Sequence, residues 1–249
     1  MTFSKKALAA LLMITFFSAA CDTAEDATEE EIEASAVYLE PEPEAPTALD
    51  DTPPAPRSAE TNVPDVLGPL PEGVGIPVGD EASSFTLTSN EGEEVTLSEL
   101  LEEQTIMLVF YRGGWCPFCN FQIRELTEAY DQFAERGVLP VAISVDQPDQ
   151  SSRTAAAYEI PFPVLSDPDL EAHRTFQVIN ELDDDEIARL AKMGMDIPAH
   201  SGRDHNTVAI PGVFIIDGDS IVRWAFADQD YRVRPSIEQL LAAIDGLDQ

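Results

Sequence analysis

Two cysteines separated by two residues, Cys116 and Cys119, lie in the segment YRGGWCPFCN. Thiols at this spacing can form a redox-active disulfide, supply half of a metal site, or be ordinary buried side chains. A tetrahedral metal site needs about four ligands. The chain has no second pair of this kind, and its three histidines are far away in the sequence. The spacing therefore favours a redox pair, with structural thiols and a metal site as the alternatives.

The sequence around the cysteines predicts a strand followed at once by a helix. The apolar run TIMLVFY, residues 105–111, is typical of a central strand covered on both faces. Pro117 suits the first position of a helix, and apolar residues then recur at helical spacing as far as Phe133. Cys116 is thus predicted at a helix N-terminus, where unpaired N–H groups and the helix dipole favour a thiolate. Cys119 follows one turn later, so the two sulfur atoms can form a disulfide.

Strands and helices alternate through the rest of the chain. A hairpin is predicted after Ile76, then strands near residues 138–145, 212–217 and 220–226, and a closing helix at 234–244. This alternation predicts an α/β fold in which helices cover both faces of a central mixed sheet, with the hairpin as an N-terminal extension. Residues 195–206 are predicted as a polar loop. The longer segment 183–206 has the length of a lid over the active site.

The charge of the chain excludes some classes of partner. There are 47 acidic and 14 basic residues, which give a formal net charge of −33. Binding to nucleic acid needs a basic patch that neutralises phosphates, so nucleic acid is not an expected partner. Direct docking of the protein surface on anionic lipid is disfavoured for the same reason. The sequence predicts no cofactor and no bound metal.

The N-terminus predicts export. Two lysines precede an apolar run that ends in small residues at Ala20, and the run is shorter than the roughly 20 residues of a membrane span. This segment resembles a bacterial lipoprotein signal, in which Cys21 is lipidated; the alternative is an ordinary signal peptide that leaves Cys21 a free thiol. Residues 21–75 are acidic and rich in proline, which predicts a disordered tether. The expected organisation is a signal peptide at 1–20, a lipid-anchored tether at 21–75 and a folded domain at 76–249. The domain would then lie in the cell envelope, on the periplasmic side.

Several motifs resemble the peroxiredoxin-like branch of the alkyl hydroperoxide reductase and thiol-specific antioxidant family. They are FYRGGWCPFCN, VAISVD, FPVLSDPDLEAHRTF, GVFIID and RWAFADQDYRVRPS, and together they extend from about Ile76 to Asp245. The resemblance implies a thioredoxin fold, with Cys116 as the attacking cysteine and Cys119 as the resolving one. It also implies a hydroperoxide substrate and a thioredoxin-type or other envelope thiol as reductant.

The chain departs from this family at three positions. Typical members carry a proline seven residues, and a Thr or Ser three residues, before the attacking cysteine. Counted from Cys116, these positions hold Val109 and Gly113. Typical members also carry an arginine just before the later G-x-F-x-I-D strand, where this chain has Pro211. Arg112 can replace that guanidinium if it points toward the thiols; the alternative is a surface or ion-pair arginine.

Pro211 also resembles the cis-proline of thioredoxins, which packs against the reactive disulfide. We therefore expect a cis Ile210–Pro211 bond facing Cys116, with a trans proline that begins a strand as the alternative. Trp115 is expected to cover the disulfide and exclude water.

The sequence does not indicate a role in the site for His205 or for the YRVR segment. His205 is interpreted as a loop histidine rather than a proton donor. The side chains of the YRVR segment are expected to pair with carboxylates rather than with a ligand; they are Tyr231, Arg232 and Arg234.

Three functions are compatible with these residues. In the first, a hydroperoxide oxidises Cys116 to a sulfenic acid, and Cys119 condenses with it to give a disulfide. In the second, Cys116 forms a mixed disulfide with a substrate protein, and Cys119 resolves it. In the third, the chain is a tethered binding domain whose disulfide is only structural. The family resemblance favours the first function, and the missing Thr and Arg favour the second.

Overall fold

The computed structural model describes residues 61–247. The predicted signal peptide, Cys21 and residues 22–60 of the predicted tether lie outside the described residues. Within 61–247, no helix is both long and apolar enough to cross a bilayer.

Most of the strands in the described part belong to one mixed sheet. The strands are β1 (Thr86–Ser89), β2 (Glu94–Thr96), β3 (Thr105–Phe110), β4 (Val138–Ser144), β5 (Val164–Ser166), β6 (Ile179–Glu181), β7 (Thr207–Ala209), β8 (Gly212–Ile216) and β9 (Val222–Ala227). The sheet has the order β2-β1-β5-β4-β3-β8-β9, with β3 parallel to β4 and antiparallel to β8. β1 and β2 form the predicted hairpin. β6 and β7 form a separate antiparallel ribbon that was not predicted, because strands of three residues carry little periodicity.

Helices begin at Pro117 and close the domain near its C-terminus, as predicted, and others lie between the strands. The helices are α1 (Leu97–Glu103), α2 (Pro117–Glu128), α3 (Tyr130–Ala134), α4 (Pro148–Ala157), α5 (Glu171–Thr175), α6 (Asp184–Lys192), α7 (Ile197–Ser201) and α8 (Ile237–Asp245). The helix predicted from Pro117 breaks at Ala129, whose φ of −97° and ψ of 3° separate α2 from α3. The polar loop predicted at 195–206 is wrong in part, because it contains α7. The Asp196 carboxylate accepts a hydrogen bond from Ala199 N and so caps this short helix.

Alternate residues of β3 contribute to two different hydrophobic cores. Met107 and Val109 pack in the cluster that also contains the two cysteines. Ile106, Leu108 and Phe110 pack in the cluster on the other face of the sheet. All five side chains are fully buried, as the period of two in a strand requires when both faces are covered. The predicted fold class, a mixed sheet with helices on both faces, is confirmed.

The ordered contacts of the domain begin earlier than the predicted start at Ile76. Asn62 N donates to Arg232 O at 2.8 Å, and Arg234 N donates to Asn62 O at 3.0 Å. Gln239 Nε2 donates to Pro64 O at 2.7 Å. The last part of the predicted tether is therefore bound to α8 and to the segment that precedes this helix.

The closing helix α8 buries one face against the cluster that contains the cysteines. Ser236 caps it in a reciprocal capping box with Gln239, which satisfies two N–H groups at the helix start. Leu240 and Ile244, four residues apart, are its buried residues. Leu241 is only partly buried. This difference between adjacent leucines gives a direct test of how α8 packs.

We expect Leu240→Ala to lower the free energy of unfolding by about 2–5 kcal/mol, because it leaves a cavity in the core. Leu241→Ala serves as the matched control and is expected to cost clearly less, since its side chain already contacts solvent. Urea denaturation of the two variants measures both losses. Equal losses would contradict the packing of α8 through its Leu240 face.

Candidate active site

Cys116 and Cys119 lie where the central strand meets a helix. β3 ends at Phe110, Cys116 is the N-cap residue of α2, and Pro117 is the first residue of that helix, as predicted. Cys119 is in the first turn. Both cysteines are free thiols, and they are 1% and 0% exposed. The N-terminus of a twelve-residue helix thus points its dipole at a buried pair of sulfur atoms.

The loop between the strand and the helix is held from two sides. Cys116 N donates to Gly113 O at 3.1 Å and closes a tight turn. Asp146, which follows β4, accepts a hydrogen bond from Gly114 N at 2.7 Å through Oδ2. Asn120 Nδ2, on α2, donates to Gly114 O at 2.7 Å. The position of the loop therefore depends on the residue that follows β4 and on α2, the helix that begins at the end of the loop.

Arg112 is buried and forms an ion pair, which is the alternative considered for it; its replacement of the missing guanidinium stays a prediction. Its side chain is buried, and Nη2 donates to Glu186 Oε1 on α6 at 2.9 Å. The guanidinium carbon lies 5.2 Å from the ring centroid of Trp115 and 4.3 Å from that of Tyr231. Arg112 is thus a buried cation held between two aromatic rings and one carboxylate.

Arg234 is a functional candidate that the sequence reasoning missed. It was expected to pair with carboxylates, and this expectation is wrong: Nε donates to Gln122 Oε1 at 2.8 Å, and Nη1 donates to Val233 O at 2.7 Å. Nη2 lies 3.7 Å from Cys119 Sγ. The residue is only 2% exposed. The guanidinium is therefore buried beside a cysteine, a placement that no local sequence signal indicates.

The pKa values of the two thiols move in opposite directions. Burial raises the pKa of Cys119, but the Cys116 thiol, the Arg234 charge, and the backbone N–H and charge of Arg112 together outweigh it and lower that pKa to about 6. The hydrogen bond to Cys119, followed by burial, raises the pKa of Cys116 well above its ordinary value. The lower pKa of the pair is therefore that of Cys119. The thiolate expected at Cys116 stays a prediction; the helix dipole favours charge on both residues, while the Arg234 guanidinium contacts Cys119 Sγ.

Asp146 is a buried carboxyl group beneath the same loop. Burial raises its pKa to about 7, although hydrogen bonds from Gly114 and Ser144 oppose the shift. Its Oδ1 and the Trp115 indole Nε1 are buried and have no hydrogen-bond partner within the described residues. Asp146 thus changes its protonation state near neutral pH, within the structure that supports the cysteines.

Trp115 packs in the same buried cluster as the two cysteines and is 8% exposed. The segment expected to act as a lid, residues 183–206, folds into α6 and α7 and packs on this cluster through Leu190 and Ile197. His200 of α7 approaches the Trp115 ring, with ring centroids 6.4 Å apart. The segment is therefore a packed helical layer over the cluster, tied to the site by the ion pair between Glu186 and Arg112.

The predicted cis bond at Pro211 is wrong, because the Ile210–Pro211 peptide is trans. Ile210 N donates to Val178 O, and Asp228 N donates to Pro211 O. The chain thus passes in extended form from the β6-β7 ribbon into β8, and the trans form is favoured by about 0.5–1 kcal/mol where no turn is needed. Pro211 lines a cavity of about 680 Å³ together with Glu186 and Tyr231, both of which contact Arg112.

The remaining candidates have structural partners. Arg232 pairs with Asp230 at 2.7 Å, as predicted. Among the described residues, Tyr231 does not pair with a carboxylate; its ring packs on Arg112 and, with centroids 5.6 Å apart, on Phe118. His205 bonds Pro168 O at 2.9 Å and Thr207 N at 3.0 Å, which fits a loop histidine. Within residues 61–247, no three His, Cys, Asp or Glu side chains form a group that could hold a metal ion.

Comparisons with known proteins identify the family of the chain. The sequence profile described as the AhpC/TSA family matches residues 78–225. A peroxiredoxin of Thermoplasma volcanium is 27% identical over 178 residues, which cover 69% of this chain and 75% of the relative. The thiol-disulfide oxidoreductase ResA of Bacillus thuringiensis is 30% identical over 103 residues, which cover 41% of this chain and 58% of the relative.

Solved structures share the fold. The crystal structure of peroxidoxin BcpB from Mycobacterium tuberculosis superposes with a TM-score of 0.54 at 20% identity. The superposition covers 70% of this chain and 97% of that protein. At this identity the similarity establishes the thioredoxin-like architecture and carries no further argument.

The loop that carries the cysteines gives a testable prediction at Gly113. Its φ is +146°, and a Cβ there would lie 2.3 Å from Trp115 Nε1 and 2.8 Å from Asp146 Oδ1. We expect Gly113→Ala to lower the free energy of unfolding by about 3 kcal/mol and to alter the alkylation rate of the cysteines, since both neighbours must move.

Gly92→Ala is the matched control. Its φ is +84°, and a Cβ there meets no atom within 4 Å. This control is expected to cost about 1 kcal/mol and to leave the alkylation rate unchanged. Similar effects of the two substitutions, measured by urea denaturation and iodoacetamide labelling, would contradict the tight packing around Gly113.

Proposed function

The chain belongs to the AhpC/TSA family, and we propose that it is a peroxiredoxin-like thiol peroxidase that reduces hydroperoxides through Cys116 and Cys119. The observation that carries the proposal is the buried thiol pair at the N-terminus of α2, where one pKa is lowered to about 6 beside two guanidiniums. A thiolate that forms near neutral pH is the nucleophile that peroxide reduction requires.

The two thiols supply both electrons of the reaction. A thiolate attacks one peroxide oxygen, the O–O bond breaks, and the products are a cysteine sulfenic acid and an alcohol, or water when the oxidant is hydrogen peroxide. The second thiol then attacks the sulfenic sulfur, and water leaves as the Cys116–Cys119 disulfide forms. The enzyme returns to its reduced state by thiol–disulfide exchange with an external dithiol. A thioredoxin-type or other envelope thiol protein is the proposed reductant.

Protein disulfide exchange is the second candidate function. The C-x-x-C spacing and the similarity to ResA over 103 residues favour it. In that case a protein disulfide takes the place of the hydroperoxide as the electrophile. The two functions differ in which substrate reacts faster with the reduced pair, and this difference can be measured directly.

We further propose that the mature protein is exported and held at a membrane by lipid on Cys21. The basic and apolar start of the chain and the small residues before Cys21 support this proposal. The acidic, proline-rich segment after Cys21 would keep the enzyme domain away from the membrane surface. A net charge of −33 fits attachment through lipid rather than through contact with anionic headgroups.

The peroxidase proposal predicts a fast reaction of the reduced protein with hydrogen peroxide. Trp224→Phe leaves Trp115 as the single tryptophan, and stopped-flow fluorescence then follows the site directly. We expect a second-order rate orders of magnitude above that of free cysteine, because the thiolate is largely formed at pH 7. The Cys116→Ser, Cys119→Ser double variant is the control and is expected not to react.

A rate equal to that of free cysteine, together with rapid reduction of a model protein disulfide, would contradict the peroxidase and support disulfide exchange. Slow reaction with both substrates would contradict both functions. If the reduced protein reacts with both substrates, the larger of the two second-order rate constants at the same pH shows which function is favoured.

Lipidation predicts that Cys21 alone takes up an acyl chain in cells. Growth with a palmitate analogue is expected to label the full chain, and Cys21→Ser is expected to remove the label. Cys116→Ser tests whether the label depends on any cysteine, and labelling should persist in this variant. Loss of the label in both variants, or its persistence in Cys21→Ser, would contradict the proposed anchor.

A further inference from the structure

Arg234 is a buried cation that has neutral partners at all but one of its contacts. Nε bonds the Gln122 side-chain oxygen and Nη1 bonds Val233 O, at 2.8 and 2.7 Å. The remaining contact is Nη2 with Cys119 Sγ at 3.7 Å. In the described part of the chain, no carboxylate lies within ion-pair distance of Arg234. One positive charge is therefore enclosed against a sulfur atom.

The nearby carboxylates are committed to other groups. Glu186 binds Arg112 at 2.9 Å, and Asp230 binds Arg232 at 2.7 Å. Asp146 is directed at the backbone of the loop before Cys116. A guanidinium cannot lose its proton in a protein, and a buried charge without a partner is strongly destabilising. The Asp230 carboxylate also interacts with the Arg234 charge, but the group in contact with the guanidinium is Cys119 Sγ.

We propose that Cys119 is the nucleophilic thiolate of the pair, that Arg234 is its counter-ion, and that Cys116 is the resolving thiol. The identity of the electrophile, a hydroperoxide, rests on the proposed function. The assignment of the thiolate rests on the 3.7 Å contact between Arg234 Nη2 and Cys119 Sγ and on the burial of both residues. It reverses the roles that the sequence resemblance implied for the two cysteines.

The environment of Cys116 is consistent with its proposed role as the resolving thiol. The guanidinium closest to it in sequence, that of Arg112, is already paired with Glu186. The hydrogen bond with Cys119 and burial raise the pKa of Cys116 well above its ordinary value, as a resolving thiol that keeps its proton requires. Cys119 is also in the first turn of α2, so the helix dipole acts on it as well.

The reaction then proceeds in two balanced steps. Cys119 Sγ attacks the terminal peroxide oxygen, the O–O bond breaks, and the leaving alkoxide takes a proton from solvent to become an alcohol. Cys119 is now a sulfenic acid, oxidised by two electrons. Cys116 Sγ attacks Cys119 Sγ, the S–O bond breaks, and hydroxide leaves with the Cys116 proton as water. An external dithiol reduces the resulting disulfide.

Single-cysteine variants test which sulfur is the nucleophile. The full chain carries Cys21→Ser in every sample, so that only the pair can react. Cys116→Ser keeps a hydroxyl donor next to Cys119; this variant is expected to react rapidly with iodoacetamide at pH 7 and to form a dimedone-trapped sulfenic acid at Cys119 with hydrogen peroxide. Cys119→Ser is expected to react no faster than free cysteine in either assay. Mass spectrometry locates each adduct.

The outcomes separate this inference from the proposed function. Rapid alkylation and rapid oxidation of Cys116 in the Cys119→Ser variant would overturn the inference and leave the peroxidase standing. Rapid alkylation of Cys119 without rapid oxidation by peroxide in any sample would support the inference and overturn the peroxidase. Alkylation of both variants at the rate of free cysteine would overturn the inference.

The counter-ion role is tested by the pH dependence of alkylation in the Cys116→Ser background. Arg234→Met is expected to raise the pKa of Cys119 from about 6 toward 8.5 and so to lower the rate at pH 7, by at most roughly 30-fold if the full 8.5 is reached. Arg234→Lys keeps the charge and is expected to restore most of the rate. Arg232→Met, an exposed ion-pair arginine two residues away, is the control and should leave the profile unchanged.

Other groups that face Cys119 also affect this profile. The Arg112 charge acts in the same direction as Arg234, and the ionisation of Asp146 and of Tyr111 acts against the thiolate. Because the pKa of Asp146 is about 7, a second and smaller step is expected there. An unchanged profile in folded Arg234→Met would overturn the counter-ion role. If that variant does not fold, the single-cysteine variants still decide the nucleophile.

Discussion

The contact between the buried Arg234 guanidinium and Cys119 Sγ is the interaction on which the rest of the site depends. Burial alone would keep both thiols protonated. The pKa of Cys119 falls to about 6 only because Arg234, Arg112 and the Cys116 thiol together outweigh that burial. Arg112 and Cys116 belong to the same loop as Cys119, whereas Arg234 comes from a distant part of the chain, and the fold can be understood as the means of bringing the two parts together.

The parts that supply these charges are far apart in sequence. Arg112 follows the central strand β3, its partner Glu186 lies on α6, and Arg234 precedes α8, 115 positions after Cys119. Arg234 is also fixed through its backbone, since its N–H donates to Asn62 O. The segment that leads out of the predicted tether therefore helps to hold a residue of the active site, and it belongs to the enzyme rather than to the spacer.

The local sequence pattern was sufficient to predict the strand and the helix that position the cysteines. The apolar run before them and Pro117 after Cys116 predicted β3 and the start of α2, because strand burial and first-turn proline are local effects. The partner of Arg234, the trans bond at Pro211, and the β6-β7 ribbon were not predictable in this way. Each depends on contacts between distant segments. An arginine in an acidic chain is expected to meet a carboxylate, and only the folded structure shows that Arg234 meets a thiol instead.

The departures from the family pattern also depend on which cysteine is taken as the reference. Counted from Cys116, the positions three and seven residues earlier hold Gly113 and Val109; counted from Cys119, they hold Cys116 and Arg112. With Cys119 as the nucleophile, the Cys116 thiol takes the place of the hydroxyl that the pattern expects there. The same sulfur then serves first as hydrogen-bond donor and later as resolving nucleophile. Because both cysteines lie in one turn at the start of α2, the disulfide can form without unfolding that helix.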